Sequence, residues 1–276
     1  MKSAARLLLV SLVLVILQAP QASALEINTS FIGGNPPANA AGGGNLMDIV
    51  NAAARMWEAV YPDQVTITLQ FGWAPLGDAG THSLVEQGGS PIREISGIIL
   101  FDNSGAVRFY LDPTPNSHDE YRRRTEEFED LGGGMMNVAR LYSGPTGDAV
   151  GTTDLLSVAL HEIGHAMGMS AANQAFMGIA GQGVIRISDG LPFAGTVIPL
   201  ARNNAGITSH FDVLQVPYGS VMAGIGADER RIPSDLDILA NAQVSGFALA
   251  GAGPTPSRVS PRPTGRVVMS APGVRR

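Results

Sequence analysis

Residues 159–168 read ALHEIGHAMG, and this decapeptide contains the pattern H-E-x-x-H followed by x-x-G. On a helix, His161 and His165 lie one turn apart on the same face, because side chains at positions i and i+4 are neighbours. Two imidazoles in this arrangement can bind one Zn²⁺. Glu162 lies beside them, where its carboxylate can accept a proton from a zinc-bound water. The stretch therefore predicts a metal-binding helix and leaves a third ligand to be found.

The residues around the decapeptide favour a helix. Residues 152–154 (TTD) supply an N-cap and a negative charge at the positive end of the helix dipole. Gly168 is a natural helix terminator. Apolar side chains recur at helical spacing and predict a buried stripe that leaves the two histidines on another face: Leu156, Leu160, Ile163 and Met167. The alternative is a helix with two partly exposed histidines and no metal.

The first 24 residues have the composition of a secretory signal peptide. Lys2 and Arg6 give a positive start, residues 7–17 form an apolar run, and residues 22–24 (ASA) form a small-residue cleavage site. The run is short for a membrane span, so an uncleaved anchor is the weaker interpretation. We expect cleavage before Leu25, secretion to an extracellular or periplasmic compartment, and no stable membrane anchor afterwards.

The composition of the chain limits the classes of molecule that we expect as partners. Removal of 24 residues leaves 252 of 276 and shifts the formal charge from −6 to −8, because Lys2 and Arg6 are lost. An acidic, lysine-free chain argues against nucleic acid and anionic membranes as partners. The chain has no cysteine, which excludes disulfides and thiolate metal ligands. Its length suits one large domain or two small lobes around a cleft, and we expect a monomer.

The chain before the metal-binding helix predicts one long helix followed by strands. Asn45 is a candidate N-cap for a helix with apolar side chains at helical spacing. Residues 65–71 alternate between apolar and polar, as in a half-buried strand. Residues 97–101 and 106–111 predict two further strands, joined by a turn at residues 102–105. One helix, several strands and then the metal-site helix make an α+β order.

Residues 117–130 carry many charged side chains and are typical of a solvated helix face or loop with local ion pairs. Their clustered carboxylates are also candidate Ca²⁺ ligands, although no regular loop spacing supports a calcium site. Three consecutive glycines at residues 132–134 predict a flexible connection. His82 and His118 lie in polar loop stretches, where single histidines are usually solvated.

His210 is the only histidine after His165, 45 positions further along the chain. The residues between them include two apolar runs, 184–187 and 196–200, which predict a small hairpin-like insertion. His210 is therefore the leading candidate for the third ligand. The rival is a downstream carboxylate, from one of four residues: Asp212, Glu229, Asp235 or Asp237.

Beyond His210, the chain contains a methionine, a last helix and a tail. Met222 follows His210 by 12 positions, where the ordinary interpretation is a core methionine. Ser234 is a candidate N-cap for a helix over residues 235–244. The tail at residues 251–276 is rich in proline, and we expect it to be flexible.

The motif H-E-x-x-H-x-x-G, a later histidine and a turn with methionine together resemble the metzincin zinc proteases. The long insertion before the third histidine and the order His210-Phe211-Asp212 are most similar to the leishmanolysin-type branch. The resemblance covers roughly residues 45–247, but specific motifs occupy only residues 153–168 and 209–222.

The resemblance implies a two-lobed, zincin-like catalytic domain of the α+β class. Its N-terminal lobe, residues 25–168, would contain a twisted mixed sheet and the active-site helix. Its smaller C-terminal lobe, residues 169–250, would carry the third ligand and the methionine turn. The implied roles are zinc ligation by His161, His165 and His210, general base catalysis by Glu162, chain reversal at Gly168, and a hydrophobic floor under the zinc at Met222.

Two positions depart from the family pattern. The compact motif places the third histidine at position 171, which is Ala171 here. Some members have a tyrosine two residues after the methionine; here that residue is Gly224. Tyr218 precedes the turn and is interpreted as a packed or surface residue. Asp212 is a candidate to accept a hydrogen bond from a ligand imidazole.

The resemblance implies a secreted zinc-dependent endopeptidase that acts on a protein or peptide substrate. Two alternatives stay open. One is a secreted zinc-binding module or adhesin without proteolytic activity. The other is a zinc hydrolase that cleaves bonds other than peptide bonds, since the same H-E-x-x-H chemistry can serve both.

Overall fold

The structure is a computed structural model, and it describes residues 24–216, 218–249 and 267–270. The signal peptide expected at residues 1–24 therefore lies outside the described residues, apart from Ala24. The described part of the chain contains helices and several sheets, which confirms the α+β class. The helices are α1 (Leu46–Glu58), α2 (Leu155–Ala166), α3 (Gln174–Ala180) and α4 (Asp235–Ser245).

The strands are distributed over four sheets. In chain order they are β1 (Glu26–Gly33), β2 (Thr66–Ala74), β3 (Gly80–Gly88), β4 (Arg93–Asp102), β5 (Phe109–Tyr110), β6 (Tyr121–Asp130), β7 (Met135–Pro145), β8 (Thr153–Asp154), β9 (Val184–Arg186), β10 (Val197–Asn203), β11 (Gly206–Phe211), β12 (Glu229–Ile232) and β13 (Val267–Ser270).

Helix α1 begins where the sequence predicts an N-cap. The Asn45 side chain accepts a hydrogen bond from the Asp48 backbone N–H at 2.9 Å. The indole N–H of Trp57 donates to the Leu160 carbonyl oxygen at 3.1 Å and so links α1 to α2. The buried face of α1 faces the core and consists of Leu46, Ile49, Val50, Ala52, Ala53, Ala54 and Trp57.

The first sheet has the strand order β1-β2-β4-β3. Strands β1, β2 and β4 are parallel, and β3 runs antiparallel to β4. The predicted strand at residues 65–71 is confirmed by β2, whose side chains alternate between exposed and buried. The strand predicted at residues 106–111 is only the two residues of β5, and it pairs with β8 rather than with β4.

The charged segment after residue 120 is a strand, so the helix face or loop predicted there is wrong. Strand β6 pairs with β7 from Tyr121 opposite Pro145 to Asp130 opposite Met135. Most side chains of β6 are exposed or half-buried, which removes the apolar alternation that reveals a strand. Glycines 132–134 lie in the hairpin connection between β6 and β7. This connection packs tightly against another part of the chain, because a Cβ atom at Gly133 would overlap the Phe193 carbonyl oxygen.

Helix α2 is surrounded by other elements. Eleven of its twelve residues are buried, so the predicted apolar stripe is only one of several packed faces. The Asp154 carboxylate caps the helix and accepts from the Ser157 backbone N–H at 2.9 Å. The chain leaves the helix at Gly168, which has φ +138°, a conformation that favours glycine. A side chain there would also overlap the Ser245 hydroxyl.

The insertion between the histidines forms a helix and a three-stranded sheet. Strands β9 and β10 pair antiparallel, which confirms the predicted hairpin. Strand β11 pairs with the other edge of β10 and carries His210 near its end. The insertion therefore returns the third histidine to the rest of the fold on a strand paired with its neighbour.

The last predicted helix is confirmed by α4. Ser234 and Asp237 form a capping box, and Gly246 ends the helix with φ +62°. Strand β12 pairs with β7, so one sheet joins the segments on either side of the lobe boundary expected at residue 168. Within the tail, β13 pairs with β6, and the rest of residues 251–276 lies outside the described part.

None of the helices in the described ranges combines the length and the apolar character that a membrane span requires.

Candidate metal centre

Helix α2 places two imidazoles at its C-terminal half, one turn apart. Nδ1 of His161 lies 2.8 Å from the Val221 carbonyl oxygen, and Nδ1 of His165 is hydrogen-bonded to the Met169 carbonyl oxygen. A carbonyl oxygen only accepts, so each Nδ1 carries the proton. Each Nε2 atom is left with a free lone pair, as a metal ligand requires.

His210 completes the group across 45 residues of sequence. Its Nε2 atom lies 3.1 Å from Nε2 of His161, and the same distance separates the Nε2 atoms of His161 and His165. One ligand nitrogen from each of the three histidines lies within 4.8 Å of the others. The rings of His161 and His210 are nearly parallel, with centroids 5.0 Å apart.

The donor geometry fits a zinc-sized ion. Two nitrogens bound tetrahedrally to Zn²⁺ at about 2.0–2.1 Å are about 3.4 Å apart, close to the observed 3.1 Å. Burial, and then the charge of His210, lowers the pKa of His161 to about 4. Burial also lowers the pKa of His165 and His210. Neutral imidazoles at neutral pH are ligands, so the buried three-histidine group can hold a metal ion.

Glu162 lies beside this group in a cleft of about 640 Å³. Its side chain is 4 % exposed, and within the described residues nothing donates a hydrogen bond to its carboxylate. Burial, and then the charge of Asp78, raises the pKa of Glu162 to about 8. Gly80 leaves room for the carboxylate, because a Cβ atom there would lie 2.8 Å from Oε1 of Glu162.

Met222 packs against α2 at Gly164. It is fully buried, and a Cβ atom at Gly164 would overlap its sulfur. Gly164 lies between the two histidines of the helix, so the glycine allows the turn at residues 221–223 to approach the metal-binding segment closely.

The four carboxylates that are alternatives to His210 as the third ligand bind other groups. The Asp212 carboxylate accepts from the Leu214 backbone N–H at 3.0 Å and from the Gln215 amide at 2.5 Å, within its own turn. Nδ1 of His161 and Nδ1 of His165 are hydrogen-bonded to backbone carbonyl oxygens and not to Asp212. The other three bind neighbours as follows: Glu229 binds Arg231, Asp235 binds Arg140, and Asp237 binds the backbone of residues 221 and 222.

Sequence reasoning missed a fourth histidine in the cleft. His82 lies on β3 and not in a loop; its side chain is 1 % exposed, and its Nε2 atom is 2.8 Å from Oε1 of Glu94. Its ring centroid lies 6.4 Å from that of His165. A Cβ atom at Gly97 would overlap the Glu94 carboxylate, so the pair occupies space that only a glycine leaves. His118, in contrast, does lie in a loop, 3.3 Å from Arg230.

The sequence around His82 contains no local signal for its partner. Its partner Glu94 is on the neighbouring strand β4, twelve positions away in the chain. Burial raises the pKa of Glu94, and the hydrogen bond from His82 opposes that rise. In the register of the sheet, His82 lies opposite Ile99 and Glu94 lies opposite Gln87, so the two side chains meet only because both reach the space beside Gly97.

Comparison with protein-family models, with curated proteins and with solved structures gave no match to this chain.

Proposed function

We propose that this chain is a zinc-dependent endopeptidase with a two-lobed, zincin-like catalytic domain of the metzincin kind. The observation that carries the proposal is the convergence of three histidine Nε2 atoms in one cleft with the Glu162 carboxylate, which is buried and accepts no hydrogen bond within the described residues. Three histidine ligands are typical of catalytic zinc sites, whereas structural sites have four protein ligands. The resemblance in motif at residues 153–168 and 209–222 supports the same class.

The chemistry follows from the roles that each group can take. Bound Zn²⁺ would polarise a carbonyl oxygen and lower the pKa of water toward about 7. Glu162 takes a proton from the attacking water while the water oxygen bonds to the carbonyl carbon. The carbon–nitrogen bond then breaks, and Glu162 returns the proton to the leaving amine nitrogen. Burial raises the pKa of Glu162 to about 8 in the metal-free chain, and a bound Zn²⁺ would lower it again, toward the range in which a carboxyl group can both accept and return a proton near neutral pH.

The cleft suits an extended chain as substrate. Strand β3 contributes residues 80–82 to the cleft, and in the described part of the chain it pairs with β4 alone. An extended peptide can add to such an edge through backbone hydrogen bonds. Several lining residues are small and leave space for side chains: Ala79, Gly80, Ser170, Ala171, Ala172 and Ser209.

The proposed setting is extracellular or periplasmic. It rests on the signal-peptide composition of residues 1–24. The proposed partner is a protein or peptide, and the net negative charge argues against nucleic acid.

The direct test is metal content together with substrate cleavage. The purified chain should contain about one zinc, cleave casein and a peptide library, lose activity with a chelator, and recover it with added Zn²⁺. Zinc binding without hydrolysis of peptide, ester or glycan substrates would instead indicate a binding module or adhesin. Hydrolysis of esters or glycans alone would indicate a different zinc hydrolase.

A further inference from the structure

The turn at residues 220–224 is held by a buried carboxylate from α4. Asp237 is fully buried. Its two oxygens accept from the backbone N–H groups of Val221 at 3.2 Å and Met222 at 2.9 Å. They also accept from the backbone N–H of Ser234 at 2.8 Å and from its hydroxyl at 2.6 Å. One side chain therefore joins the N-terminus of α4 to the turn.

A buried arginine holds the same turn through its carbonyl groups. Arg231 is fully buried, and its Nη1 atom donates to the Ser220 carbonyl oxygen at 3.1 Å and to the Gly224 carbonyl oxygen. Its guanidinium lies 3.9 Å from the centroid of the Tyr218 ring, and Nε donates to Glu229 at 2.9 Å. The carboxylate thus binds N–H groups in the turn, and the guanidinium binds carbonyl groups at both of its ends.

The same turn orients a candidate metal ligand. The Val221 carbonyl oxygen accepts the proton on Nδ1 of His161 at 2.8 Å, which sets the tautomer and the direction of that ring. Rotation of the Val221 peptide would break this hydrogen bond. The Val221 N–H that Asp237 holds and the Val221 carbonyl that holds His161 belong to one residue, so a shift at one is transmitted to the other.

We propose that Asp237 and Arg231 are positioning residues for the metal centre, acting on His161 through the Val221 carbonyl. The proposal rests on the proposed zinc site and adds two residues that do not touch the ion. Loss of a hydrogen-bond partner behind a metal-ligating histidine typically lowers metal affinity about 10- to 100-fold. A similar weakening is expected when the turn that supplies the partner is released.

The test compares Asp237→Asn with Ser234→Ala in the full-length chain. The asparagine keeps the shape of the side chain but presents an NH₂ group where oxygens accept from N–H donors. Ser234→Ala removes the hydroxyl that binds the same carboxylate and caps α4, but it leaves the two turn hydrogen bonds in place. Zinc affinity by chelator competition, the visible spectrum of the Co²⁺-substituted protein and thermal unfolding are measured for each.

Asp237→Asn should bind zinc about 10- to 100-fold more weakly and change the Co²⁺ ligand-field bands. Ser234→Ala should lower the unfolding temperature and leave both metal readouts as in the wild type. If Asp237→Asn does not fold, Arg231→Lys carries the same test, since lysine keeps the charge beside Glu229 but lacks the guanidinium fork.

Wild-type zinc affinity and an unchanged Co²⁺ spectrum in a folded variant would overturn the positioning role and leave the proposed function intact. A wild-type chain that binds neither ion would overturn the proposed function itself, and the positioning role with it.

Discussion

Two buried clusters lie at opposite ends of α2 and differ in whether their polar groups have partners. At the N-terminal end, Arg230 is fully buried and pairs with Asp112 at 2.6 Å and Asp154 at 2.8 Å. It also donates to the Ser117 carbonyl oxygen at 2.7 Å and lies 5.0 Å from the centroid of the Tyr121 ring. Each of these buried charges therefore has a partner of the opposite sign.

In the metal cleft, the buried polar groups are not paired in this way. The Nε2 atom of His161 lies 3.1 Å from the Nε2 atoms of both His165 and His210, and within the described residues the Glu162 carboxylate accepts no hydrogen bond. Folded proteins satisfy most buried polar groups, and exceptions concentrate where a ligand or reaction needs them. The contrast supports the proposal that the cleft serves binding and chemistry, whereas the paired charges of the Arg230 cluster serve the stability of the fold.

The largest expected effect is on catalysis. Glu162→Gln should keep the zinc and lower the rate of peptide cleavage by at least about 100-fold, because the proton acceptor is lost. Glu86→Gln is the matched control, since it makes the same change at an exposed residue of β3 that does not line the cleft. Cleavage by the Glu162→Gln variant at the wild-type rate would exclude the proposed mechanism.

The next effect is on metal binding. His210→Ala should weaken zinc binding more than about 100-fold, since even the partner of a ligand is worth 10- to 100-fold. Asp212→Asn, two positions away, removes the rival carboxylate and should leave the affinity unchanged. Chelator competition measures both. The reverse pattern would make Asp212 the third ligand and remove His210 from the site.

Disrupting the Arg230 cluster should lower the stability of the fold instead. Arg230→Met leaves Asp112 and Asp154 buried without a counter-charge and should lower the free energy of unfolding by about 3–5 kcal/mol. Arg123→Met, on the exposed part of β6, should change it by less than about 0.5 kcal/mol. Urea unfolding gives both values. Equally small losses of unfolding free energy in the two variants would mean that the charges of the Arg230 cluster do not support the fold.

The last effect concerns how the stability of the metal-free chain depends on pH. The pKa of Glu162 is about 8 in the fold, against an ordinary value of 4.5, so folding disfavours its ionised form. The penalty is absent below pH 4.5, grows between pH 4.5 and 8, and is complete above pH 8.

Glu162→Gln removes this dependence. The stability of the variant relative to wild type should therefore rise by a few kcal/mol between pH 5 and pH 9, since a tenfold change in a protonation equilibrium is worth about 1.4 kcal/mol. Chelated protein in urea titrations provides the measurement. A difference that is flat across this range would contradict the burial of an ionisable Glu162.

Helices and their ends could be predicted because their signals are local. Asn45, Asp154 and Ser234 each cap the helix that follows within three residues, and Gly246 ends α4. The pair of histidines one turn apart on α2 is equally local. These features depend on neighbours in sequence, so a single chain contains the information needed to place them.

Features that depend on strand register could not be predicted in this way. Strand β6 is charged and mostly exposed or half-buried, and its pairing with β7 is visible only in three dimensions. His82 and Glu94 are not opposite each other in the sheet, and their side chains meet in the space that Gly97 leaves. The order of histidines along the chain predicts His210 as a ligand, but its approach to His161 depends on the path of the insertion.

Zinc-edge X-ray absorption on the purified full-length chain tests the central claim most directly. The account predicts one zinc per chain, bound at about 2.0–2.1 Å by three imidazole nitrogens and one further light atom. A chain without zinc affinity, or a spectrum with fewer than three imidazole ligands, would contradict it.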